Sequence, residues 1–458
     1  MCSYVSSISL LPPYELMSAA GAVRTLSSHT VDLVDCIAEE MNIDDLKEYI
    51  QIHQPDIILN LIGLESFEND IQHIDELKLQ FPKIIQVGFG HYPSHFPHPI
   101  MENSAIDILI KGEPDTTIIS IMDCISQGID LNQTKNIIYK NSQGAIILTP
   151  VSNRLTDLDA LGMPAHDLVN PRHYFEVFMP EPFSMIQTSR GCPFSCTYCI
   201  TTFGKKYTVR SVDSILKEII WLRKNHHIKS FRIIDDTFTI RRAHVIDLCK
   251  KLIEESIHLT WSCLSRADTI DEEMIRWMHD AGCQKIYFGI ESGSQSTLDF
   301  YKKGIKKEKV KETLDLCNKY GVESGGMFIV GLPGEDEEQI EETIQFIKEL
   351  NFTYIGCNEL TPYPGTELYE QLKDEVDFSL FPYRLKFKDP EISRLALKRI
   401  SYIHKEFYRD RKTLTHLVSF SIRHFRVFLN TVRRISLSKR SMKDNKKNMT
   451  INLRDILK

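Results

Sequence analysis

The stretch Ser189-Arg190-Gly191-Cys192-Pro193-Phe194-Ser195-Cys196-Thr197-Tyr198-Cys199 decides how the rest of this 458-residue chain is read. Its three cysteines stand at CxxxCxxC spacing, directly after Phe183-Ser184-Met185-Ile186-Gln187, an apolar run that predicts a short strand. Three thiolates in one loop suit three irons of a [4Fe–4S] cluster, for which cysteine is the usual ligand. No fourth cysteine follows at short range, which leaves one iron open to a substrate or cofactor. The bland alternatives are a zinc knuckle or a redox thiol pair. Zinc sites favour two CxxC-like pairs or added histidines, and neither lies nearby.

Beyond the cysteines, short apolar strands alternate with helices. The predicted strands cover 230–234, 259–263, 285–290, 326–330 and 354–358; the helices cover 211–225, 243–256, 271–281, 306–320 and 336–350. With the strand before Cys192 this makes six βα units, a partial TIM-like barrel whose chemistry belongs at the C-terminal strand ends. Those ends are polar: Asp235-Asp236, then Arg266, then Glu291-Ser292, then Gly331-Leu332-Pro333-Gly334. Carboxylates suit an ammonium, a guanidinium fork suits a carboxylate, and glycines let backbone approach a flat base. Helix capping and surface ion pairs are the ordinary alternatives for Asp235, Asp236 and Arg266. Cys263 and Cys357 fall on barrel strands, where core packing is the ordinary reading and hydrogen-atom donation the sharper one.

The cysteine loop, with the aromatic Tyr198 before its third cysteine, resembles the cluster loop of the radical S-adenosylmethionine (SAM) enzymes. That resemblance implies that Cys192, Cys196 and Cys199 hold the cluster and that SAM occupies the open iron through its amino and carboxylate groups. One electron then cleaves SAM to a 5′-deoxyadenosyl radical. It further implies that Tyr198, Asp235, Asp236, Arg266, Glu291, Ser292, Gly331 and Pro333 surround SAM. In this assignment Arg266 meets the SAM carboxylate and Glu291 the ribose. A flavodoxin- or ferredoxin-type electron donor and a small-molecule or lipid substrate complete the expectation.

Residues 1–125 predict a doubly wound, Rossmann-like parallel sheet with strands at 31–35, 56–61, 84–88 and 106–110. A short first strand is read at 8–11. Pro12-Pro13 leading into Leu16–Ala20, Val87-Gly88-Phe89-Gly90-His91, and Lys111-Gly112-Glu113-Pro114 resemble the cobalamin-binding domain that precedes many radical SAM cores. The Asp-x-His-x-x-Gly run that would supply a cobalt-ligating histidine is missing. In this branch the common reaction is methyl transfer to an unactivated carbon. Oxidation or ring formation without methyl transfer, and an Fe–S redox protein without SAM chemistry, stay open as alternatives. His91-Tyr92-Pro93-Ser94-His95-Phe96-Pro97-His98 reads as a proline-interrupted loop.

The organisation that follows is a cobalamin-binding-like domain (1–125), a connector (126–182), a radical SAM core (183–385) and a basic helical extension (386–458). The connector carries a hairpin over 137–148 and the stretch Leu161-Gly162-Met163-Pro164. A net charge of −7 argues against a nucleic-acid partner. Eleven cysteines without an export signal point to a reducing cytoplasm. From Glu391 onward 18 Lys and Arg stand against 5 Asp and Glu. Opposed apolar and arginine faces over 417–435 suggest either a helix packed on the barrel or peripheral contact with an anionic membrane.

Overall fold

In the computed structural model, two sheets follow one another along the chain. The structure describes residues 9–63, 66–152, 154–200, 203–377 and 386–410, with a few isolated positions up to 429. The first sheet contains β1 (Ile57–Leu61), β2 (Ile85–Phe89), β3 (Ile108–Ile110), β4 (Ile137–Lys140) and β5 (Ile146–Leu148), in that order. β1, β2 and β3 run parallel, whereas β4 and β5 join antiparallel. Helices α1 (Tyr14–Leu26), α2 (Ile43–His53), α3 (Phe67–Gln80), α4 (His91–His95), α5 (Pro97–Glu102) and α6 (Pro114–Gln127) accompany it. Alternation along β3 covers both faces: Ile108 and Ile110 pack with Ala22, Val23, Ile118 and Ile121 from α1 and α6. Leu109 points the other way, toward Phe67, Ile71, Ile100 and Met101 from α3 and α5.

Four sequence expectations change here. The strand expected at 31–35 is irregular, because Asp32 and Asp35 turn their carboxylates onto the nearby amides of Leu33, Ile37 and Ala38. The expected first strand reduces to a single bridge between Leu10 and Phe175. The hairpin assigned to the connector extends the first sheet, its β4 pairing with β3. The histidine-rich loop is helical, since Pro93 and Pro97 fall in the first turns of α4 and α5, where a backbone donor is not needed.

The second sheet begins with β6 (Phe183–Ile186). A small antiparallel hairpin of β7 (Ser189–Arg190) and β8 (Thr208–Val209) follows. Strands β9 (Ser230–Ile233), β10 (Thr260–Ser265), β11 (Cys283–Glu291), β12 (Glu323–Val330) and β13 (Tyr354–Glu359) then add in sequence, so the order is β6-β9-β10-β11-β12-β13. All neighbours are parallel. The intervening helices are α7 (Val212–Asn225), α8 (Arg242–Glu254), α9 (Glu272–Asp280), α10 (Gln295–Phe300), α11 (Lys307–Tyr320) and α12 (Glu337–Glu349). After β13 come α13 (Glu367–Leu372) and α14 (Pro390–Arg409). Phe231, Trp261, Cys263, Phe288 and Phe328 face this helical shell, and Cys357 packs against the same core. Both cysteines therefore take the ordinary packing reading.

The opposite strand faces hold a buried polar floor. Glu176, from the segment before β6, accepts from Arg232 (2.9 Å), Ser262 (3.1 Å) and Tyr287. Lys285 donates to the Val177 carbonyl at 3.0 Å, and burial brings its pKa down to about 8. Ala396, Ile403 and Phe407 of α14 close the helical shell. The amphipathic stretch over 417–435 lies outside the described residues, apart from isolated positions. No helix among the described residues is long and apolar enough to cross a membrane.

One close approach fixes how α1 sits against the connector. A Cβ at Gly21 would lie 2.2 Å from the Met163 carbonyl oxygen, and the Ala165 amide donates to Met17 O at 2.9 Å. Gly21→Ala should therefore destabilise the fold by about 1–3 kcal/mol, as overpacking of a close contact does. A urea titration reads this as a lower midpoint, and an unchanged midpoint would show that the approach relaxes freely.

Candidate cluster and cofactor site

The cysteine loop leaves β7 through Gly191, whose φ of +86° suits glycine. A Cβ there would lie 2.4 Å from Lys206 O. Three backbone bonds hold the loop's course: Cys192 N to Gly204 O (3.1 Å), Thr197 N to Tyr301 O (2.9 Å), and Leu368 N to Thr197 O (2.8 Å). The sulfurs point into a polar setting. Cys196 Sγ accepts from Arg266 Nη1 at 3.6 Å, and Cys192 Sγ lies 3.7 Å from Thr237 Oγ1. Burial, then the charges of Cys196 and Cys192, push the Cys199 thiol up to about 12, while Lys303 opposes them. Three thiols on one short loop that influence one another's charge suit a cluster that binds each to a separate iron. Among the described residues, no three His, Cys, Asp or Glu side chains are gathered as a single-ion site requires.

The strand ends bring most of the expected residues toward this loop, with different partners from those expected. Asp236 accepts from the Gly191 amide and faces Cys199. Asp235 is fully engaged within the protein. Its carboxylate is buried and accepts from the Thr188 amide (2.7 Å), the Thr188 hydroxyl and the Ser189 hydroxyl (2.5 Å), tying β9 to the start of the loop. Burial, only partly offset by these donors, raises its pKa to about 6. Arg266 is likewise engaged. Its fork holds Asp268 at 2.9 and 2.8 Å, donates to Lys303 O at 2.7 Å, and lies 3.8 Å over the Phe194 ring. Asp235 and Arg266 thus both support the loop through protein partners.

Glu291 stands at a bulge between β11 and β12, with φ of +71°. A non-glycine residue held in that region is strained, as at many ligand sites. Its Oε1 accepts from Tyr198 OH and from Lys303 Nζ, each at 2.8 Å. A Cβ at Gly289 would lie 2.6 Å from that oxygen, so a larger residue there would push the carboxylate from its present place. Lys303 was not anticipated from the sequence. Its signal is faint: one lysine of a Lys-Lys-Gly turn, ordinary on a surface but here 5 % exposed. Ser292 is buried against Thr343 at 3.2 Å and accepts from the Ser294 amide, a local structural bond. Gly331 (φ +102°) receives Glu335 on its amide at 3.0 Å, and Pro333 follows on the same turn.

At the first sheet, the C-terminal strand ends carry Gly90 (φ +136°) and Gly112 (φ +87°). A Cβ at Gly90 would strike Ile62 O at 2.4 Å, whereas one at Gly112 would meet open space. The segment after β2 leans on the loop after β13, where a Cβ at Gly365 would lie 2.3 Å from His95 Nδ1. In sheets of this kind ligands bind beyond the carboxyl ends of the strands, where these two glycines stand.

Comparison with known proteins agrees with this geometry. Residues 186–347 match the Radical SAM superfamily. An uncharacterized methyltransferase of Pyrococcus horikoshii is 31% identical over 78% of this chain and 78% of its own length. The anaerobic magnesium-protoporphyrin IX monomethyl ester cyclase of Rubrivivax gelatinosus is 26% identical over 88% of this chain and 75% of its own. Among solved structures, the cobalamin-dependent SAM radical enzyme OxsB, with aqua-cobalamin and SAM bound, superposes with a TM-score of 0.74. That superposition covers 94% of this chain and 71% of the OxsB chain, at 16% identity, and shows a shared fold.

The raised pKa of Asp235 has a definite sign. The folded state holds its proton up to about pH 6, while an ordinary carboxylate loses it near 3.8. Its ionised, buried form is the costly one, so its contribution to stability declines as pH rises from about 4 through about 6. Asp235→Asn should remove that component. Urea midpoints of wild type and variant, compared between pH 4.5 and 7, should converge or cross as pH rises; parallel profiles would place the titration elsewhere.

Proposed function

Because the chain belongs to the radical SAM superfamily, we propose that it is a cobalamin-dependent methyltransferase acting on an unactivated carbon of a small-molecule or lipid substrate. The observation that carries this reading is the meeting of the cysteine loop with two sets of strand ends. Those of the second sheet supply Tyr198's partner Glu291, and those of the first sheet supply Glu113 and Asp115, which hold Arg190 at the stem of the loop. When bound, the cluster with SAM would supply a hydrogen-abstracting radical, and the corrinoid would carry the methyl group.

Within this reading Cys192, Cys196 and Cys199 hold the cluster. Arg266 and Phe194 stiffen the loop beside Cys196. Asp236 offers a carboxylate to the SAM ammonium, and Glu291, steadied by Tyr198 and Lys303, accepts from ribose hydroxyls. Gly331 and Pro333 form the turn that would flank a flat base, Gly331 packing on Ala396 of α14, with Ser292 supporting the Glu291 turn from behind. The Glu176, Arg232 and Lys285 floor closes the inner face of the second sheet against water. A second reading, ring formation without methyl transfer, is favoured by the similarity to the Rubrivivax cyclase.

Two measurements test this. Replacing all three loop cysteines with Ala should abolish iron content and visible cluster absorption. The anaerobically reconstituted wild type, given reductant and SAM, should release 5′-deoxyadenosine. Iron retained by the triple variant would move the cluster elsewhere, and absence of 5′-deoxyadenosine would leave an Fe–S redox protein. Separately, protein purified anaerobically with hydroxocobalamin and desalted should keep near-stoichiometric cobalt. No retained cobalt would overturn the methyl-transfer reading and leave the ring-forming one.

A further inference from the structure

Arg190 stands two residues before Cys192 and is 4 % exposed, yet its charge is directed away from the cluster loop. Every nitrogen of its guanidinium is engaged. Nε donates to Gln187 Oε1 at 2.7 Å. Nη1 donates to Glu113 Oε2 and Asp115 Oδ2, both at 2.7 Å. Nη2 donates to Ser18 Oγ at 3.0 Å and Asp115 Oδ1 at 3.1 Å. Glu113 and Asp115 stand at the end of β3 and the start of α6, and Ser18 lies on α1, so one residue of the loop stem grips three points of the first half.

The other stem is gripped through the same carboxylate. Glu113 Oε1 accepts from Arg154 Nε, and Arg154 Nη1 donates to the carbonyls of Phe203 (2.8 Å) and Lys206. Both guanidiniums lie over the Phe203 ring, at 4.9 Å for Arg190 and 5.5 Å for Arg154. Glu113 thereby bridges β7 and the segment that leads into β8, on either side of the cysteines. An apolar contact would let the halves slide, whereas forked guanidinium–carboxylate pairs fix both distance and orientation.

We propose that Arg190 and Arg154 are positioning residues that lock the cluster loop in register with the end of β3. They hold the SAM-binding site and the first-sheet strand ends at one separation. The functional value of that separation rests on the methyl-transfer reading: a methyl group leaving SAM for the corrinoid requires the two to be aligned, whereas one-electron cleavage of SAM at the cluster does not. Releasing the lock should therefore split two activities that share one cofactor.

The test uses Asp115→Asn, which keeps shape, and Arg190→Lys, which keeps charge but loses the fork. A nitroxide is placed at Leu79→Cys on α3, 86 % exposed in the native chain, in a Cys2→Ser, Cys36→Ser background. Pulsed dipolar EPR then measures the distance from the nitroxide to the reduced cluster. Wild-type iron content with a broadened distance distribution in both variants is the expected result. In cobalamin-loaded protein with reductant, release of S-adenosylhomocysteine from SAM should fall on the order of tenfold to a hundredfold relative to release of 5′-deoxyadenosine. An unchanged, narrow distribution overturns the proposal, and so does loss of the cluster in both variants, which would make the network a plain folding element. If wild-type protein takes up no cobalamin, methyl transfer falls while the distance measurement still decides the lock.

Discussion

Three thiolates confined to one loop repel one another, and a protein that gathers them must supply opposing charge and a rigid frame. Much of the second sheet can be understood as the answer to that constraint. Arg266 brings a guanidinium to Cys196 and Lys303 an ammonium toward Cys199, while the loop backbone is pinned at Thr197 from both sides. The two cations are coupled, since Arg266 donates to the carbonyl of Lys303. Lys303 in turn neutralises Glu291, whose left-handed backbone would be hard to keep without such a partner. The cluster loop and the expected ribose carboxylate thus form one electrostatic unit.

The boundary between the halves is built in a similar way. Beside the Arg190 network, His166 from the connector contacts Glu218 of α7 at 2.8 Å, and Arg210 completes that carboxylate at 2.5 Å while also donating to Gln187 O. Burial alone would raise the Glu218 pKa, but Arg210 and His166 outweigh it and hold it below the usual carboxylate value. Buried ion pairs add little net stability compared with apolar packing, yet an unmatched partner is costly. Such networks therefore penalise misdocked arrangements more than they strengthen the correct one.

The sequence by itself determined the elements governed by local chemistry. CxxxCxxC spacing and the missing fourth cysteine marked the loop as the candidate cluster loop, because cysteines this close along the chain necessarily share one loop. The six strands of the second sheet were legible for a similar reason: each is a short apolar run bounded by amphipathic helices, and parallel strands need such crossovers. Gly321 closing α11 in the left-handed region, and Asp336 capping α12 together with Gln339, are local too.

Tertiary structure decided what each polar side chain does at its strand end. Asp235 and Asp236 are adjacent in sequence and equivalent in chemistry, yet one is consumed by Thr188 and Ser189 while the other faces the cysteines. Arg266 could be any surface guanidinium by its sequence, and only the fold brings it over Phe194 and beside Cys196 with Asp268 in its fork. Lys303 resembles any surface lysine until β11 places Glu291 beside it. Arg190 meets Ser18 across 172 residues of chain, a pairing that no local periodicity encodes. Spacing reveals which residues can share a loop or a helix face; partner choice between distant segments depends on how whole sheets dock, and that was fixed only in three dimensions.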